Sequence, residues 1–330
     1  MAGPSRPPTR GHLIQTTLLA LLVALAFLLP AILMRGKSAT FDEVAHLPAG
    51  YSYLRTGVFK INPQHPPLIK ELCALPLLFL DLKMPVDRET LERSQIPLTY
   101  QWGFGQRFLY SQNADQILFL GRLVAVTLSL GLAILIAVWS LRLWGYAGAL
   151  LAVSLYLLDP TVTAHAQLVT TDIGLAFFAT LFLFVLRRYV EKPQRWRLLL
   201  CGVCLGLALA AKFSGIILIP MALILLLLGR AQELRNAAPE KSSKSGSRPA
   251  RKKAEAKAEP RFSPWVSFLV MLPVAALVVW AVYFFPADPL VYLKGLATVN
   301  KDHDPGYHPY LLGEMKPGRW YSYFAIAYLV

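Results

Sequence analysis

The sequence predicts an all-α protein, a polytopic transmembrane helix bundle. Of the 330 residues, 55% are hydrophobic and only 16% are charged, whereas soluble domains carry roughly 25% charged residues. The apolar residues form long runs that contain much Gly, Ala and Leu. Such runs indicate helices, because the strands of a membrane barrel alternate apolar and polar residues.

Apolar runs of about 20 residues are long enough to cross a hydrocarbon core as helices, and the runs predict seven to eight spans. The first run follows Arg6 and Arg10, as in a signal peptide, but it is long and lacks a small-residue cleavage pattern. We therefore expect an uncleaved anchor. The predicted spans are residues 13–33, 117–141, 147–158, 173–186, 198–210, 216–228, 264–285 and 320–330.

Basic residues in the connections predict the orientation of the bundle, because cytoplasmic loops are enriched in Lys and Arg. The connection 187–197 and the segment 230–262 are strongly basic, in agreement with the net charge of +14. With residues 1–12 as a cytoplasmic tail before the main transmembrane region, 13–229, both basic stretches lie inside. The loops then expected outside are residues 35–116, 159–172, 211–215 and 286–319.

Three further stretches complete the predicted organisation. Residues 68–82 are apolar but short and begin near Lys70 and Glu71, so we expect an interfacial or re-entrant helix in the long outer loop. Residues 230–262 are rich in Lys, Ser, Ala, Glu and Pro without an apolar period, which predicts a disordered cytoplasmic linker. Residues 263–330 hold further spans, and we expect a truncated protein because the chain stops inside an apolar segment.

The charge pattern and the cysteine content argue against nucleic-acid binding and against zinc or redox chemistry. The basic residues do not form a patch with interleaved aromatics, so nucleic-acid binding is not favoured. Cys201 and Cys204 form a C-x-x-C pair, but it lies inside an apolar run without a second pair. Packing of small residues within a helix explains this pair better than zinc binding or redox chemistry.

Chemically reactive side chains gather in the predicted outer loops. Asp42 and Glu43 come directly after the first span, and carboxylates near lipid are costly to keep, so they indicate a site at the membrane surface. Lys212 lies in the turn between two apolar runs, where it either holds a phosphate or simply reaches from lipid to water. The other candidates for substrate binding are His46, His65, Asp172 and His303.

Several of these residues also have structural explanations. Asp42 suits the N-cap of the helix that follows it, and Asp172 suits the N-cap of its span. Glu43 is also compatible with a simple solvated side chain. His46 follows Asp42 by four residues, so the two share a helical face. A hydrogen-bonded histidine, a carboxylate–imidazole pair and half of a metal site all stay open at this position.

The order of the motifs resembles that of a known family. Phe41-Asp42-Glu43 resembles the Asp-Glu motif of the protein O-mannosyltransferases and their bacterial relatives. Residues 62–68 (Asn-Pro-Gln-His-Pro-Pro-Leu) are similar to the family's first outer loop, and residues 165–172 to its second. Residues 206–214 resemble a helix pair with a lysine at its turn, and residues 310–321 resemble a later outer loop.

Two features depart from the family's pattern. The lipid A aminoarabinose transferase branch has Glu-Lys-Pro-Pro where this chain has Gln64-His65-Pro66-Pro67, so the acidic and lysine roles of that branch are not carried over. The family's chains are also longer and have more spans.

The resemblance implies a membrane glycosyltransferase of the GT-C class. Such an enzyme transfers a sugar from a polyprenyl-phosphate carrier to an acceptor hydroxyl, with inversion. The resemblance implies Asp42 as the base for the acceptor proton, Glu43 as its catalytic neighbour and Lys212 as the cation for the departing phosphate. The implied partners are membrane lipid, the lipid-linked sugar donor and a protein or lipid acceptor, and a divalent cation is compatible with it. The expected location is a bacterial inner membrane, with the site facing the periplasm.

A transporter or flippase of a lipid-linked substrate is the main alternative. That class predicts internal repeats and charges buried in the middle of spans. The sequence has no convincing repeat, and its acidic residues lie at the ends of the predicted spans. A non-catalytic scaffold would give no reason for the clustering of reactive side chains on one face.

Overall fold

The described part of the protein is mainly helical, as the sequence predicts. The computed structural model describes residues 10–237, 262–301, 310–315, 322–323 and 325–326. His303, most of the predicted linker 230–262 and most of the predicted span 320–330 lie outside the described residues. Two short strands, β1 (Tyr310–Leu311) and β2 (Glu314–Met315), pair antiparallel.

Two of the connections between the helices contain a 3₁₀ turn. These turns are Leu75–Phe79 and Phe213–Ile217. The helices are α1 (Arg10–Leu33), α2 (Phe41–Thr56), α3 (Leu68–Ala74), α4 (Arg88–Arg93), α5 (Tyr100–Tyr110), α6 (Ala114–Leu158), α7 (Pro160–Ala166), α8 (Asp172–Glu191), α9 (Arg195–Ala211), α10 (Leu218–Ala237), α11 (Pro264–Val282) and α12 (Val291–Lys301).

Five helical segments in the described ranges are long and apolar enough to cross a membrane. The count of seven to eight spans stays a prediction. α9 has 17 residues, is apolar and packs against both α8 and α11. The predicted interfacial segment 68–82 forms the short helix α3 and a 3₁₀ turn. The five segments are α1, α6, α8, Phe213–Asn236 and α11.

The long helix α6 reverses direction at Gly145. This glycine has φ 69° and ψ −164°, a conformation outside the helical region. Beyond it, the hydroxyl of Tyr156 lies 2.7 Å from Ser129 Oγ, although the two residues are 27 positions apart. In a straight helix they would be separated by about 40 Å. The two halves are therefore antiparallel, and they coincide with the predicted spans 117–141 and 147–158.

α9 and α11 approach each other closely along a strip of small residues. A side chain at Gly202 would collide with Val274, and one at Gly206 would collide with Val278. Cys201 and Cys204 are buried free thiols on α9. Close packing of this kind stabilises helix pairs in membranes through van der Waals contact, which supports the interpretation of the C-x-x-C pair as packing residues.

Hydrogen bonds between the ends of the helices define the two ends of the bundle. Thr16 near the start of α1 bonds Tyr146 at the α6 reversal, with 2.9 Å between the hydroxyls. At the other end, Lys37 just after α1 donates to Gln167 just after α7, at 2.7 Å. We call this second end the site end, because α2, α3 and α5 pack there.

Candidate functional site

The first turn of α2 carries the two adjacent carboxylates. Its N-cap is Thr40, which forms a capping box with Glu43. The prediction that Asp42 serves as the N-cap is therefore wrong, because Glu43 already satisfies the Thr40 amide at 2.9 Å. Asp42 instead lies inside the first turn, and its side chain is exposed toward a cleft.

Glu43 is fully buried against Arg122 of α6. Arg122 Nε donates to Glu43 Oε1, and Nη2 donates to Oε2, both at 2.7 Å. This planar two-bond arrangement is the strongest geometry for a guanidinium and a carboxylate. The interpretation of Glu43 as a solvated side chain is therefore wrong. Burial raises the pKa of Glu43, but the hydrogen bonds from Arg122 and from Thr40 outweigh it and lower the pKa overall.

The same ion pair ties four segments together at the site end. Arg122 also donates to the carbonyls of Met34, Lys37 and Ser38, at 3.1, 2.8 and 2.8 Å. Glu43 Oε1 accepts from the backbone N–H of Val169 at 3.1 Å. The connection between α1 and α2, the start of α6 and the segment before α8 therefore meet beside Asp42.

Arg122 is a site residue that the sequence analysis did not identify. It lies inside the apolar run 117–141 and is buried. A charged residue within a predicted span is a signal of function or of a buried partner. That signal was available in the sequence, although it did not reveal that the partner is Glu43.

Asp42 lies in a mixed electrostatic environment. Partial burial raises the pKa of its carboxyl group, and the nearby charge of Asp172 raises it further. Lys212 and His165 act in the opposite direction. The net shift is upward, so Asp42 holds a proton more readily than an ordinary aspartate.

Lys212 and Asp172 form an ion pair beside Asp42. Lys212 directly follows α9 and Asp172 begins α8, and the distance between Nζ and Oδ1 is 2.6 Å. Lys212 is therefore paired with a carboxylate rather than a lone cation at the membrane boundary. The prediction that Asp172 serves as an N-cap is also wrong, because Asp172 is the first residue of α8 and the N-cap is Thr171. Both charged groups remain partly exposed, with 28% of the lysine and 46% of the aspartate side chain accessible.

His46 and His65 lie against each other under the cleft. Their ring centroids are 4.9 Å apart in an edge-to-face arrangement. The Nδ1 of His46 is 3.2 Å from the Val169 carbonyl, and because a carbonyl only accepts, Nδ1 must donate. Burial, then the charges of His65 and Lys70, lower the pKa of His46. Burial and Lys70 lower the pKa of His65 to about 4. Both rings are therefore neutral near pH 7, and Nε2 of His46 is an acceptor.

A cleft of ≈ 340 Å³ opens above these residues. On one side the exposed ring of Phe41 stacks on Trp102, with 3.8 Å between centroids. A smaller cavity of ≈ 130 Å³ adjoins it and shares Asn62 and His65 as a wall. The larger cleft is lined by Phe41, Asp42, His46, Asn62, Gln64, His65, Leu98, Thr99, Gln101, Trp102 and Val299.

The structure thus brings most of the predicted site residues together. Asp42, His46 and His65 line one cleft, and the Asp172–Lys212 pair is near enough to act on the Asp42 charge. His303 lies outside the described residues. Besides Arg122, the sequence analysis did not assign three buried polar residues that line the two cavities, namely Tyr53, Asn62 and Gln101, nor Lys70, which is buried behind them.

Metal ligation was also open at His46. Within the described ranges, no group of three or more His, Cys, Asp or Glu side chains is arranged to hold a metal ion. The Nδ1 atom of His46 is engaged by a backbone carbonyl.

The fold is that of an integral membrane protein, with a carboxylate and a cation at the ends of apolar helices. Residues 17–243 match the family model described as dolichyl-phosphate-mannose-protein mannosyltransferase. The chain belongs to this family, within the GT-C superfamily. No curated protein and no solved structure gives a significant match to the chain.

Proposed function

We propose that the protein transfers a sugar, mannose by analogy with its family, from a polyprenyl-phosphate donor to an acceptor hydroxyl. The acceptor is a protein or lipid on the outer face of the membrane, and the reaction inverts the sugar configuration. The observation that carries the proposal is the position of Asp42. It lies inside the matched residues 17–243, on a cleft that two imidazoles also line, and the charge of Lys212 acts on its carboxyl group.

Asp42 is proposed to take the proton of the acceptor hydroxyl as the new glycosidic bond forms. A general base must reach the proton and be deprotonated at the working pH. Asp42 is exposed to the cleft, and the upward shift of its pKa brings the carboxylate closer to the basicity useful near neutral pH. No acid is required on the other side, because the leaving group is already a phosphate, unlike in an ordinary glycoside hydrolysis.

Lys212 is proposed to stabilise the negative charge on the departing lipid phosphate. A fixed cation at the point where charge develops lowers the barrier of group transfer. The Asp172 carboxylate holds the ammonium in place at 2.6 Å. Because both side chains are partly exposed, a phosphate can share the ammonium with Asp172 without first unfolding the site.

Glu43 is proposed to hold Asp42 in position and not to contact the substrate itself. Its two oxygens accept five hydrogen bonds, from Arg122, Thr40 and Val169. A carboxylate so engaged has little capacity to accept another proton. His46, His65 and Asp172 are proposed to contact the substrates, His46 through its Nε2 acceptor.

The test is transfer of label from polyprenyl-phosphate mannose in membranes that contain the full chain. We expect Asp42→Asn to reduce the rate by at least about 100-fold, the usual contribution of a general base. Asp115→Asn is the matched control, because Asp115 is exposed in the first turn of α6. This control is expected to retain the wild-type rate at equal amounts of inserted protein.

Two results would remove the proposal. Retained transfer in Asp42→Asn would eliminate Asp42 as the base. Movement of the lipid-linked sugar across vesicles by wild-type protein, without transfer to any acceptor, would replace the enzyme by a flippase.

A further inference from the structure

Lys70 of α3 is a buried cation whose ammonium group bonds to the cleft wall. Its Nζ donates to the carbonyl of Asn62 at 2.8 Å, to the side-chain Oδ1 of Asn62 at 3.0 Å and to the carbonyl of His65 at 2.7 Å. The Tyr53 hydroxyl lies 3.4 Å away, and it also accepts the backbone N–H of Asn62. The loop 62–65 is thus held at both of its ends.

The number of acceptors around Lys70 matches the charged form of the amine. An ammonium group has three N–H donors, whereas a neutral amine has two. Three oxygens lie between 2.7 and 3.0 Å from Nζ, so all three donors are used. The side chain is 1% exposed, and this burial lowers the pKa of the Lys70 amine well below its ordinary value, while the neighbouring Glu71 carboxylate acts in the opposite direction. The three hydrogen bonds offset the cost of burial, because they replace the water that a buried charge loses.

The bond from Lys70 also fixes the direction of a chain of amide hydrogen bonds. Because Asn62 Oδ1 faces the ammonium, Asn62 Nδ2 points away and donates to Gln101 Oε1. Gln101 Nε2 then donates to Gln64 Oε1 at 3.2 Å. An amide can otherwise be turned by 180° with little change in shape. Here the cation excludes the reversed orientation of Asn62 and hence of the amides that follow.

Asn62, Gln64 and Gln101 all line the larger cleft, together with Asp42. We infer that Lys70 is a positioning residue, which holds the loop 62–65 and orders the donors and acceptors of the cleft wall for the hydroxyl groups of a bound sugar. This inference rests on the proposed function. Lys70 itself is behind the wall and does not line either cavity.

The first experiment compares two lysines that both donate to backbone carbonyls. Lys70→Met keeps the length of the side chain but removes the donors, and we expect kcat to fall on the order of 100-fold, as for a misplacement of about 1 Å. The KM for polyprenyl-phosphate mannose should rise as well, because a disordered wall also holds the sugar hydroxyls less well before transfer. Lys60→Met is the control, since the exposed Lys60 donates to the Glu92 and Ser94 carbonyls, away from the cleft residues, and it should retain wild-type kcat.

A second variant separates the direction of the amide chain from packing. Asn62→Asp has the same shape and still accepts from Lys70, now as an ion pair, but it has no N–H for Gln101. If Lys70 merely fills space, this variant keeps its kcat. We expect kcat to fall at least about tenfold, with no loss of thermal stability, since the new ion pair compensates for the lost bond. Lys70→Arg, which retains charge and donors, should recover part of the activity that Lys70→Met loses.

A labelling measurement tests whether Lys70 holds the loop 62–65, and it does not depend on activity. The three native cysteines are buried, so Gln64→Cys supplies a single accessible thiol on the loop. We expect a water-soluble maleimide to react several-fold faster when Lys70→Met is added to Gln64→Cys. Equal labelling rates and unchanged kcat in Lys70→Met and Asn62→Asp would overturn the inference. Absence of transfer by the wild type would instead refute the proposed function, and the labelling rate would still decide whether Lys70 holds the loop.

Discussion

At the scale of single residues, Asp42 and Glu43 show how adjacent carboxylates acquire different chemistry. Glu43 is buried, accepts bonds from Arg122 and has a lowered pKa. Asp42 faces the cleft and has a raised pKa, because burial and Asp172 disfavour its charge. One turn of helix therefore holds one carboxylate that is kept ionised and one that can exchange a proton.

The raised pKa of Asp42 predicts a defined dependence on pH. A group with a raised pKa in the folded state stabilises the protein at low pH, and the stabilisation is lost as pH rises through that pKa. Near neutral pH the charged Asp42 is thus unfavourable for stability. We expect Asp42→Asn to raise the Tm near pH 7 in a thermal melt while transfer is lost.

The pH dependence of the wild-type rate should also report the ionisation of Asp42. If Asp42 is the base, kcat/KM should increase with pH, and the apparent pKa of this increase should lie above 3.8, the ordinary pKa of aspartate. A limb at or below that value, or an Asp42→Asn variant less stable than wild type, would contradict the environment described for Asp42.

The Glu43–Arg122 pair predicts a large effect on stability. Removal of one partner of a buried ion pair leaves an uncompensated charge and costs about 3–5 kcal/mol. We expect this loss for Glu43→Ala in detergent unfolding experiments. Glu92→Ala is the control, because its pair with Arg88 is exposed and such pairs contribute about 0.2–1 kcal/mol. Equal losses in the two variants would show that Glu43 is not held as described.

Sequence reasoning identified the charged residues that begin or end apolar runs but not the buried cations Arg122 and Lys70 behind them. Asp42, Lys212 and Asp172 were recognisable because charged groups at the ends of apolar runs are unusual. Arg122 was not assigned, because its partner lies 79 positions away along the chain. Which distant groups meet depends on how the helices pack, and a single sequence does not contain that information in readable form.

At the scale of the elements, α2 is positioned by glycines on its neighbours and within itself. Gly50 of α2 lies directly on the Lys70 carbonyl of α3, and Gly105 of α5 lies on the Val44 carbonyl of α2. Any side chain at either glycine would collide with backbone atoms, which do not move out of the way easily. α2, which carries Asp42, is therefore seated between two helices with little freedom to shift.

The two glycines near the middle of α5 allow a matched test of this seating. Gly105→Ala should destabilise the protein by about 1–3 kcal/mol, the usual cost of overpacking, and should reduce transfer because α2 is displaced. Gly103 has open space around it, so Gly103→Ala should be neutral or stabilising by about 0.5–1 kcal/mol. Thermal unfolding of both variants checks the difference, and similar behaviour of the two would contradict the close approach.

The apolar runs predicted the helices well where a single run forms a single continuous helix. The reversal within α6 was also expected, because residues 142–146 separate two apolar runs. Its physical origin, the left-handed Gly145, depends on the backbone conformation. The sequence does not predict that α9 contacts α11. Small residues indicate that a helix can pack closely, but they do not identify the partner helix.

At the scale of the whole molecule, the two ends of the bundle differ in chemistry. The cleft residues gather at the site end, while Trp144, Trp196 and Trp265 are exposed toward the other end, near the α6 reversal and the starts of α9 and α11. Tryptophan favours the membrane–water interface. The basic connection between α8 and α9 lies at this same end, which is the arrangement expected of a cytoplasmic face.

Labelling of single cysteines in intact cells tests this orientation. Ser111, between α5 and α6 at the site end, and Lys192, between α8 and α9, are both exposed. We expect an impermeant maleimide to modify Ser111→Cys directly and Lys192→Cys only after permeabilisation. The parent protein is the control, since its cysteines are buried. The reverse pattern would place the cleft on the cytoplasmic side.

The separation of Glu43 from Arg122 along the chain also has a consequence for biosynthesis. Arg122 leaves the ribosome 79 residues after Glu43, and Val169 follows 126 residues after Glu43. At the usual speed of synthesis, about 5–20 residues per second, Glu43 waits about 4–16 s for Arg122. During this interval the nascent α1 is tethered to an unpaired carboxylate that must stay in water. The cleft is therefore assembled only after α6 has been made and inserted, and a chain interrupted before that point carries an Asp-Glu motif without a site.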